Sequence, residues 1–530
     1  MKRIITIIVL LTIGFNLLAQ TRTKKVKVTF GDELKVKKRT TLADIVGKDA
    51  SGYYALKIKV RAFGNSDISL EHFNNRMHLT QSVPLDLSYN KKTKEYESIL
   101  NIDDKLYLFS SFRNDDKKKK FLFVQTINKK TLSPNNDLKK IAEIDFSDKT
   151  KRNSGNFDYV VSRDSSKFLV YYNLPYDKGK PERFAFQVYD TKMNLLWEKE
   201  LSLPYNDDLF DIEDYLIDNK GDVYLLGASF NEKRKTKRKG KPNYKYELLV
   251  YSDQAKQVEK HTISLDDKFI TDMRVEILDN QNIACAGFYS DKGTFSIKGS
   301  YFMSLDADSK KIIKKSTNEF GIDFITQNMS KRKEKKAKKK AKKGNKEELF
   351  EYDLNKIVPK KNGGAYLIAE QYYYDSFTEI ITNQQGITSR KTTYHYYYND
   401  IIVINISAEG DIEWTEKIAK RQHTINDNGY YSSYALAYVD DKLYFIFNDN
   451  PKNMFLKEGD KIYNYNKGKK SIVTIVELTE GGEVTREVLF TKDDANVIVR
   501  TYVSEQMSNN EFVLFGDRKK KNQFFKLRFK

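Results

Sequence analysis

The chain has 530 residues and a formal net charge of +20, from 93 Lys and Arg against 73 Asp and Glu. A single cysteine, Cys285, excludes an internal disulfide. The length is large for one domain unless the domain is built from repeats. Packing between such repeats must then stabilise the fold.

Residues 1–20 are predicted to be a secretory signal peptide. Lys2 and Arg3 form a charged start, an apolar stretch follows, and Ala19 precedes Gln20 at a cleavage site. No later segment approaches the ~18–20 apolar residues of a membrane-spanning helix, so we expect no transmembrane segment after signal removal. A lipoprotein would need a Cys where Gln20 stands. We expect an exported protein, periplasmic or envelope-associated, with an extracellular location as the alternative.

Eight short apolar strands recur along the rest of the chain, each after a small polar turn. They begin at Tyr53, Leu106, Phe168, Val223, Ile283, Ala365, Leu443 and Phe512. Such nearly even self-similarity is typical of repeat architectures.

Each repeat contains further strands around the apolar one. A shorter strand precedes it, as in residues 210–218 and 351–359, and a hairpin follows it. Asp190, Asn194, Gly410 and Gly482 are predicted at tight hairpin turns. Trp197 and Trp414 occupy matching places and are predicted to pack between neighbouring sheets.

Four antiparallel strands per repeat are typical of β-propeller blades. We therefore predict an all-β fold, a β-propeller of eight four-stranded blades, with residues 21–530 as one domain. Seven blades is the alternative, since the unit at residues 42–90 fits the repeat less well. The last repeat shows three strands, and residues 26–31 form a spare strand that would complete it and close the ring.

Two basic insertions carry most of the net charge. Residues 232–245 hold eight positive residues and one negative residue, and residues 331–346 hold eleven and one. The first insertion is predicted to be a projecting hairpin tip. The second permits a helix, but its like charges lead us to expect fraying or disorder without an anionic partner.

The basic insertions are candidate contacts for an anionic lipid or polysaccharide surface; solubilising loops are the alternative. Sequence-specific nucleic-acid binding is not expected of an exported protein. The candidate residues are Lys233, Arg234, Lys235, Lys237, Arg238, Lys239, Lys335, Lys336, Lys338, Lys339, Lys340, Lys342 and Lys343.

Residues 365–406 are predicted to form one long hairpin. If the turn centres on Gln385, Tyr372 lies opposite Tyr398, Tyr373 opposite Tyr397, and Tyr374 opposite Tyr396. Consecutive tyrosines point to both faces, so one face is expected to be exposed. A self-supporting arm is one interpretation, and a surface for a partner is the other. The candidate ligand or partner residues are Tyr372, Tyr373, Tyr374, Tyr394, Tyr396, Tyr397 and Tyr398. Tyr430, Tyr431 and Tyr434 are expected to extend the surface.

Signatures of chemistry are scarce in this sequence. We predict no catalytic residue, no cofactor and no metal site. Cys285 lies among small apolar residues and is predicted to be buried. Asp306 and Asp308 resemble the start of a calcium loop but lack its glycine and final Glu, so we predict a turn. His72 and His78 are six residues apart, which matches no usual zinc spacing.

Segments such as residues 219–227 and 410–417 resemble those of secreted propeller repeat proteins of Bacteroidota, with a loose similarity to quinoprotein-type and WD-type propellers. The resemblance implies the fold and transfers no functional residue. The sequence favours a non-enzymatic binding or scaffold module that engages an envelope protein or glycan. The alternatives are a hydrolase or lyase acting on polysaccharide and a structural component of an envelope assembly.

Overall fold

The computed structural model describes residues 22–61, 66–146, 156–232, 237–238, 240–265, 267–344, 347–382, 388–457, 459–465 and 471–530. The predicted signal peptide lies outside these residues. The described chain is nearly all β, and its strands form consecutive antiparallel sheets. We number the larger sheets 1 to 8 and their strands in chain order.

Sheets 1 to 4 follow one another along the chain. Sheet 1 contains Thr40–Asp49, Gly52–Lys59, Asp67–Asn74 and Leu79–Pro84. Sheet 2 contains Glu95–Ile102, Lys105–Asn114, Lys119–Asn128, Ser133–Pro134 and Lys139–Asp145. Sheet 3 contains Phe157–Val161, Lys167–Leu174, Pro181–Asp190 and Leu195–Asn206. Sheet 4 contains Phe210–Ile217, Val223–Phe230, Tyr244–Ser252 and Gln257–Ile263.

Sheets 5 to 7 continue the series, and sheet 8 joins both ends of the described chain. Sheet 5 contains Phe269–Ile277, Ile283–Ser290, Gly299–Leu305 and Ile312–Glu319. Sheet 6 contains Tyr352–Pro359, Ala365–Thr382, Thr388–Ile406, Ile412–Ile418 and Gln422–Ile425. Sheet 7 contains Ala435–Val439, Lys442–Asp449, Ile472–Leu478 and Val484–Thr491. Sheet 8 contains Ile498–Val499, Glu505–Ser508, Glu511–Arg518, Lys521–Phe529, Val26–Phe30 and Leu34–Lys35.

The remaining elements are short. Three two-stranded ribbons pair Ser88–Tyr89 with Lys92–Thr93, Lys237–Arg238 with Lys241–Pro242, and Ser296–Ile297 with Leu349–Phe350. The α-helices are Ile322–Thr326 and Lys331–Ala341, and Pro451–Phe455 and Thr501–Val503 are 3₁₀ turns. Within the described chain, neither α-helix has the length and apolar character to span a membrane.

Each hydrophobic cluster of the core lies between two sheets. Leu108 and Leu56 belong to the cluster of sheets 1 and 2, and Cys285 lies in that of sheets 4 and 5. Trp197 packs at the cluster of sheets 3 and 4, and Trp414 at that of sheets 6 and 7, as predicted. Successive four-stranded sheets packed face to face are the organisation of a β-propeller, so the predicted fold class is confirmed.

The predicted turns are confirmed with one correction. Gly410 and Gly482 have φ of 82° and 86°, the left-handed region that glycine tolerates best. In the Asp190–Asn194 turn, however, Met193 takes the positive φ, of 60°. The Asp190 carboxylate stabilises this turn by accepting from the backbone N–H of Asn194 at 2.8 Å.

Candidate functional site on the insertion face

The long insertions all emerge at the same edge of the sheets. Because neighbouring strands are antiparallel, the connections after second and fourth strands leave at one edge, which we call the insertion face. This face carries the described parts of the connections 231–243, 320–351, 419–434 and 450–471, and the arm of sheet 6 extends from it. The opposite edge, which we call the turn face, carries short turns such as 50–51, 103–104, 191–194 and 440–441.

The long hairpin of sheet 6 has the register that the sequence predicts. Tyr372 pairs with Tyr398, Tyr373 with Tyr397, and Tyr374 with Tyr396. We call residues 372–382 and 388–398 the arm. Gln422–Ile425 adds a third strand beside residues 395–398, so the base of the arm is a three-stranded sheet. This short strand has no periodicity of its own, and sequence reasoning missed it.

One face of the arm carries a continuous stack of rings. The ring centroids of Tyr373 and Tyr397 are 4.5 Å apart, and those of Tyr397 and His423 are 4.4 Å apart and nearly parallel. His423 stacks on His395 at 5.1 Å, with Nδ1 of His395 2.9 Å from Nε2 of His423. Phe377 meets His395 edge-on at 5.0 Å and is 55% exposed. We call these five side chains the ladder.

The other face of the arm carries the remaining tyrosines. Tyr372 and Tyr398 lie 4.7 Å apart, and Tyr374 and Tyr396 lie 6.4 Å apart. Tyr374 is 61% exposed, and Tyr394 is also exposed. Each face of the arm therefore offers aromatic surface, as the alternation of consecutive tyrosines requires.

Contacts from residues 426–429 hold this second face. The Tyr396 hydroxyl donates to Oδ1 of Asn428 at 2.6 Å, and the N–H of Tyr394 donates to Oδ1 of Asn426 at 2.8 Å. Gly429 has a φ of 65°, and a Cβ there would lie 2.3 Å from the Tyr398 ring. Only glycine fits this approach.

A buried charge network fixes the base of the arm. The Lys420 ammonium is fully buried, lies 2.5 Å from the Glu370 carboxylate and donates to the carbonyl of Tyr398 at 2.9 Å. The Ser433 hydroxyl donates to the other oxygen of Glu370 at 2.6 Å. Removing one partner of such a pair would leave an uncompensated buried charge, so the network stabilises one position of the arm.

Residues 331–341 form a helix, not the frayed or disordered segment that its charge led us to expect. Lys338 bridges the carboxylates of Asp323 at 2.7 Å and Glu334 at 2.8 Å, and these bonds raise its pKa. The preceding segment is held by Lys417, which donates to the Phe324 carbonyl at 2.7 Å. These contacts, distant in sequence, offset the repulsion within the helix.

The helix presents a row of lysines to solvent. Lys340 pairs with Glu347 at 3.4 Å. The described chain places no carboxylate oxygen within 4.0 Å of five exposed lysines: Lys335, Lys336, Lys339, Lys342 and Lys343. We call these five the exposed lysines.

The segment that follows the lysine helix reaches the arm. Phe350, which follows the lysine helix in the chain, lies 6.3 Å from Tyr373 of the ladder, measured between ring centroids. Phe350 is exposed, as is Phe295, whose carbonyl accepts from the N–H of Glu351. The structure thus places the two predicted surfaces on the same face, with Phe350 beside the ladder.

The other predicted surface residues are placed differently. The insertion 232–245 does connect two strands of sheet 4, as predicted, but Lys233, Arg234, Lys235 and Lys239 lie outside the described residues. Lys237 and Arg238 form one strand of a short ribbon.

Tyr430, Tyr431 and Tyr434 follow the arm, but their hydroxyls bond to residues outside it. The hydroxyls of Tyr430 and Tyr431 both donate to Asp517 of sheet 8, and the Tyr434 hydroxyl donates to Asn355 of sheet 6. Their main partners therefore lie off the aromatic surface of the arm, contrary to the prediction.

Sequence reasoning missed a set of carboxylates on the first strands. First strands of neighbouring sheets lie side by side, and their exposed side chains line what we call the axial space. Its exposed acidic residues are Asp44, Asp158, Glu213, Asp353 and Glu505. An acidic residue recurring in the first strand of successive repeats was the available signal.

Desolvation raises the pKa of several carboxyl groups in the first strands, and the rise is large for Glu505 and Asp272. Desolvation raises the pKa of Glu505 to about 7; the charge of Asp44 adds to the rise and that of Lys356 opposes it. These residues belong to sheets 8, 1 and 6, so three sheets contribute to one environment. Desolvation also raises the pKa of Asp272 to about 6, although the N–H of Leu354 donates to its carboxylate at 2.7 Å.

The remaining candidate reactive residues are buried or take part in turns. Cys285 is fully buried, and burial raises the pKa of its thiol to about 12. Asp306 closes a turn by accepting from the N–H of Ser309 at 2.8 Å. Within the described ranges, no group of three His, Cys, Asp or Glu residues is arranged to hold a metal ion.

No protein-family model matches the chain, and neither does any curated protein sequence. Among solved structures it is similar to the WD40 domain of SCAP from fission yeast, at 8% identity and a TM-score of 0.39, covering 97% of this chain and 96% of that one. It is also similar to the β-propeller domain of the trilobed protease from Pyrococcus furiosus, at 12% identity and a TM-score of 0.33, covering 72% and 98%. Prolyl oligopeptidase B from Galerina marginata matches at 8% identity and a TM-score of 0.37, covering 95% and 57%. At these values we transfer no function from them.

Proposed function

We propose that the protein is an exported, non-enzymatic binding module of the cell envelope, and that its insertion face holds an acidic glycan. The observation that carries this proposal is that the ladder and the exposed lysines both belong to the insertion face, where Phe350, in the segment after the lysine helix, meets Tyr373 of the ladder. Stacked aromatic rings offer flat apolar surface to sugar rings, and lysines attract anionic groups over a distance.

An acidic glycan fits this surface better than a folded protein partner. Lysine outnumbers arginine in the helix segment, where Arg332 is the one arginine of residues 331–344. Lysine gives diffuse attraction, whereas bidentate recognition of a fixed carboxylate prefers arginine. Diffuse attraction is sufficient to bind a repeating polyanion.

The proposal includes a closed ring of eight blades. Eight hydrophobic clusters each join two consecutive sheets, and one of them joins sheet 8 to sheet 1 through residues such as Val513 and Tyr53. Val26–Phe30 pairs with Lys521–Phe529 as the outer strand of sheet 8. A strand from the N-terminal end would thus lock the ring and protect an edge. This supports eight blades over seven.

A binding assay with a matched control tests the proposal. The helix variant replaces the exposed lysines by Gln. The control variant replaces five exposed lysines of the turn face by Gln: Lys130, Lys192, Lys256, Lys311 and Lys361. Both variants lose five positive charges, so a difference in their affinities reports where the charge lies and not how much of it there is. The probes are polygalacturonate, which is acidic, and dextran, which is neutral.

We expect the mature protein to bind polygalacturonate more tightly than dextran, with affinity falling as salt rises. Exposed ion pairs contribute ~0.2–1 kcal/mol each, so the helix variant should lose at least about fivefold in affinity and the control variant much less. Phe377→Ser should weaken binding without changing its salt dependence. Equal losses in the helix and control variants would refute a localised site. Binding of an envelope protein without glycan would favour the assembly alternative.

A second candidate function rests on the axial space. A carboxyl group with a pKa near 7 is suited to general acid catalysis on a polysaccharide. If the protein is a hydrolase or lyase, polygalacturonate should shorten on incubation, and Glu505→Gln should abolish the shortening. Intact polymer with tight binding would support the binding module instead.

A further inference from the structure

A cavity of about 1020 Å³ lies at the seam between sheets 8 and 1. Its walls are the second to fourth strands of sheet 1, the segment 34–40 that crosses from sheet 8, and residues 84–93. The volume is in the range of small-molecule sites. The cavity is separate from the arm and the lysine helix, which extend from sheet 6 and from the segment that precedes it.

Two buried charged side chains of sheet 1 line this cavity. Lys57 and Glu71 form an ion pair of 2.7 Å, and each side chain is only 7% exposed. The Ser82 hydroxyl donates to the other carboxylate oxygen of Glu71 at 3.1 Å. Withdrawing both charges from water is costly, so the pair needs further partners to be satisfied.

Lys57 has fewer carboxylate partners than two comparably buried lysines of this protein, Lys298 and Lys310. Lys298 reaches the carboxylates of Asp291 and Glu319. Lys310 reaches two carboxylates and the hydroxyl of Tyr224. Lys57 reaches Glu71 alone among the described residues, although an ammonium has three donors. Because Lys57 lines the cavity, a ligand bound there would be able to supply a further acceptor.

The rest of the lining combines apolar and cationic groups. Leucines, a valine and a proline form an apolar wall: Leu34, Val36, Leu79, Pro84, Leu85 and Leu87. The lining holds five cations and three carboxylates, an excess of two positive charges. Asp67 already pairs with Arg61 and with Lys59, so its charge is engaged.

We infer that this cavity binds an anionic amphiphile, a molecule with one carboxylate head and an apolar body. The carboxylate would accept from the free donors of Lys57, and the body would lie against the leucine wall. Lys57 would then bridge two carboxylates, as Lys338 does in this chain. A cationic amphiphile of equal length lacks the acceptor and meets the positive excess.

Calorimetric titration with decanoate, and with decyltrimethylammonium as the matched cation, tests the inference. We expect saturable binding of one decanoate per chain and at least tenfold weaker binding of the cation. Ser69→Trp is the blocking variant, because Ser69 lies directly opposite Lys57 in the neighbouring strand and lines the cavity. It leaves the ion pair intact and should reduce decanoate affinity at least tenfold.

A second variant probes the charge rather than the space. The double variant Lys57→Met with Glu71→Leu keeps the volume and leaves no unpaired charge, so it should fold. It should weaken the preference for decanoate over the cation severalfold without abolishing it, because the rest of the lining keeps its excess of two positive charges. Equal binding of both amphiphiles to the natural protein, or undiminished decanoate binding by Ser69→Trp, would overturn the inference. Folding of each variant is checked by its thermal unfolding midpoint.

Discussion

Val26→Ala tests the proposed closure of the ring, because Val26 belongs to the strand Val26–Phe30, which pairs with Lys521–Phe529. Val26 is 6% exposed and packs in the cluster that joins sheets 7 and 8. The substitution removes two methyl groups, at about 0.8 kcal/mol each, and a cavity penalty adds to this. We therefore expect a loss of about 1.5–3 kcal/mol in the free energy of unfolding, measured in urea.

Val258→Ala is the matched control for this prediction. Val258 also lies in the outer strand of a sheet, Gln257–Ile263 of sheet 4, but it is 55% exposed. Its substitution should change the free energy of unfolding by less than about 0.5 kcal/mol. Equal effects of the two substitutions would show that the N-terminal strand is not packed into sheet 8, and the closed ring would lose its main support.

Three further substitutions are expected to change the stability of the protein in a stated direction. Trp414→Phe removes the indole N–H that donates to the carbonyl of Glu480 at 3.0 Å, so the free energy of unfolding should fall by about 1 kcal/mol; no change would mean that the bond is not formed. Glu505→Gln should stabilise the protein at pH 8 and have little effect at pH 4. The folded-state pKa of Glu505 is about 7, above the ordinary 4.5, so folding becomes less favourable as pH rises from about 4.5 to 7. An effect on thermal unfolding that does not depend on pH would contradict this. Gly429→Ala should lower stability by at least about 1 kcal/mol and speed amide exchange at Tyr398, whose ring occupies the space of the new Cβ; unchanged exchange would refute that packing.

The sequence predicted what depends on local pattern. The register of the arm follows from two tyrosine runs placed symmetrically about Gln385, and pairing of Tyr373 with Tyr397 confirms it. The fold class follows from the repeated apolar strands. The turn at Asp306 follows from the chemistry of its side chain.

Other features depend on contacts between distant residues. Repulsion within residues 331–346 argued against a helix, and only the contacts of Lys338 with Asp323 and of Lys417 with Phe324 explain why one forms. The turn of Tyr430 towards Asp517 likewise joins residues 87 positions apart. A single sequence shows no signal for such pairs.

Sheet 1 shows that a residue that departs from the repeat pattern can indicate a candidate site. Its repeat resembles the others least because of its strands near residues 68–77 and 79–87, and its apolar second strand also holds the charged Lys57. The structure places that residue in an ion pair that lines a cavity. The departure from the apolar pattern therefore marks the candidate ligand site.

Lysine footprinting tests the central claim most directly. Limited acetylation of the mature protein, with and without polygalacturonate, would be read by mass spectrometry at each lysine. The proposed function predicts that the glycan protects Lys335, Lys336 and Lys339 of the insertion face and leaves Lys192 and Lys256 of the turn face unchanged. Equal protection of the two faces, or protection confined to the turn face, would contradict it.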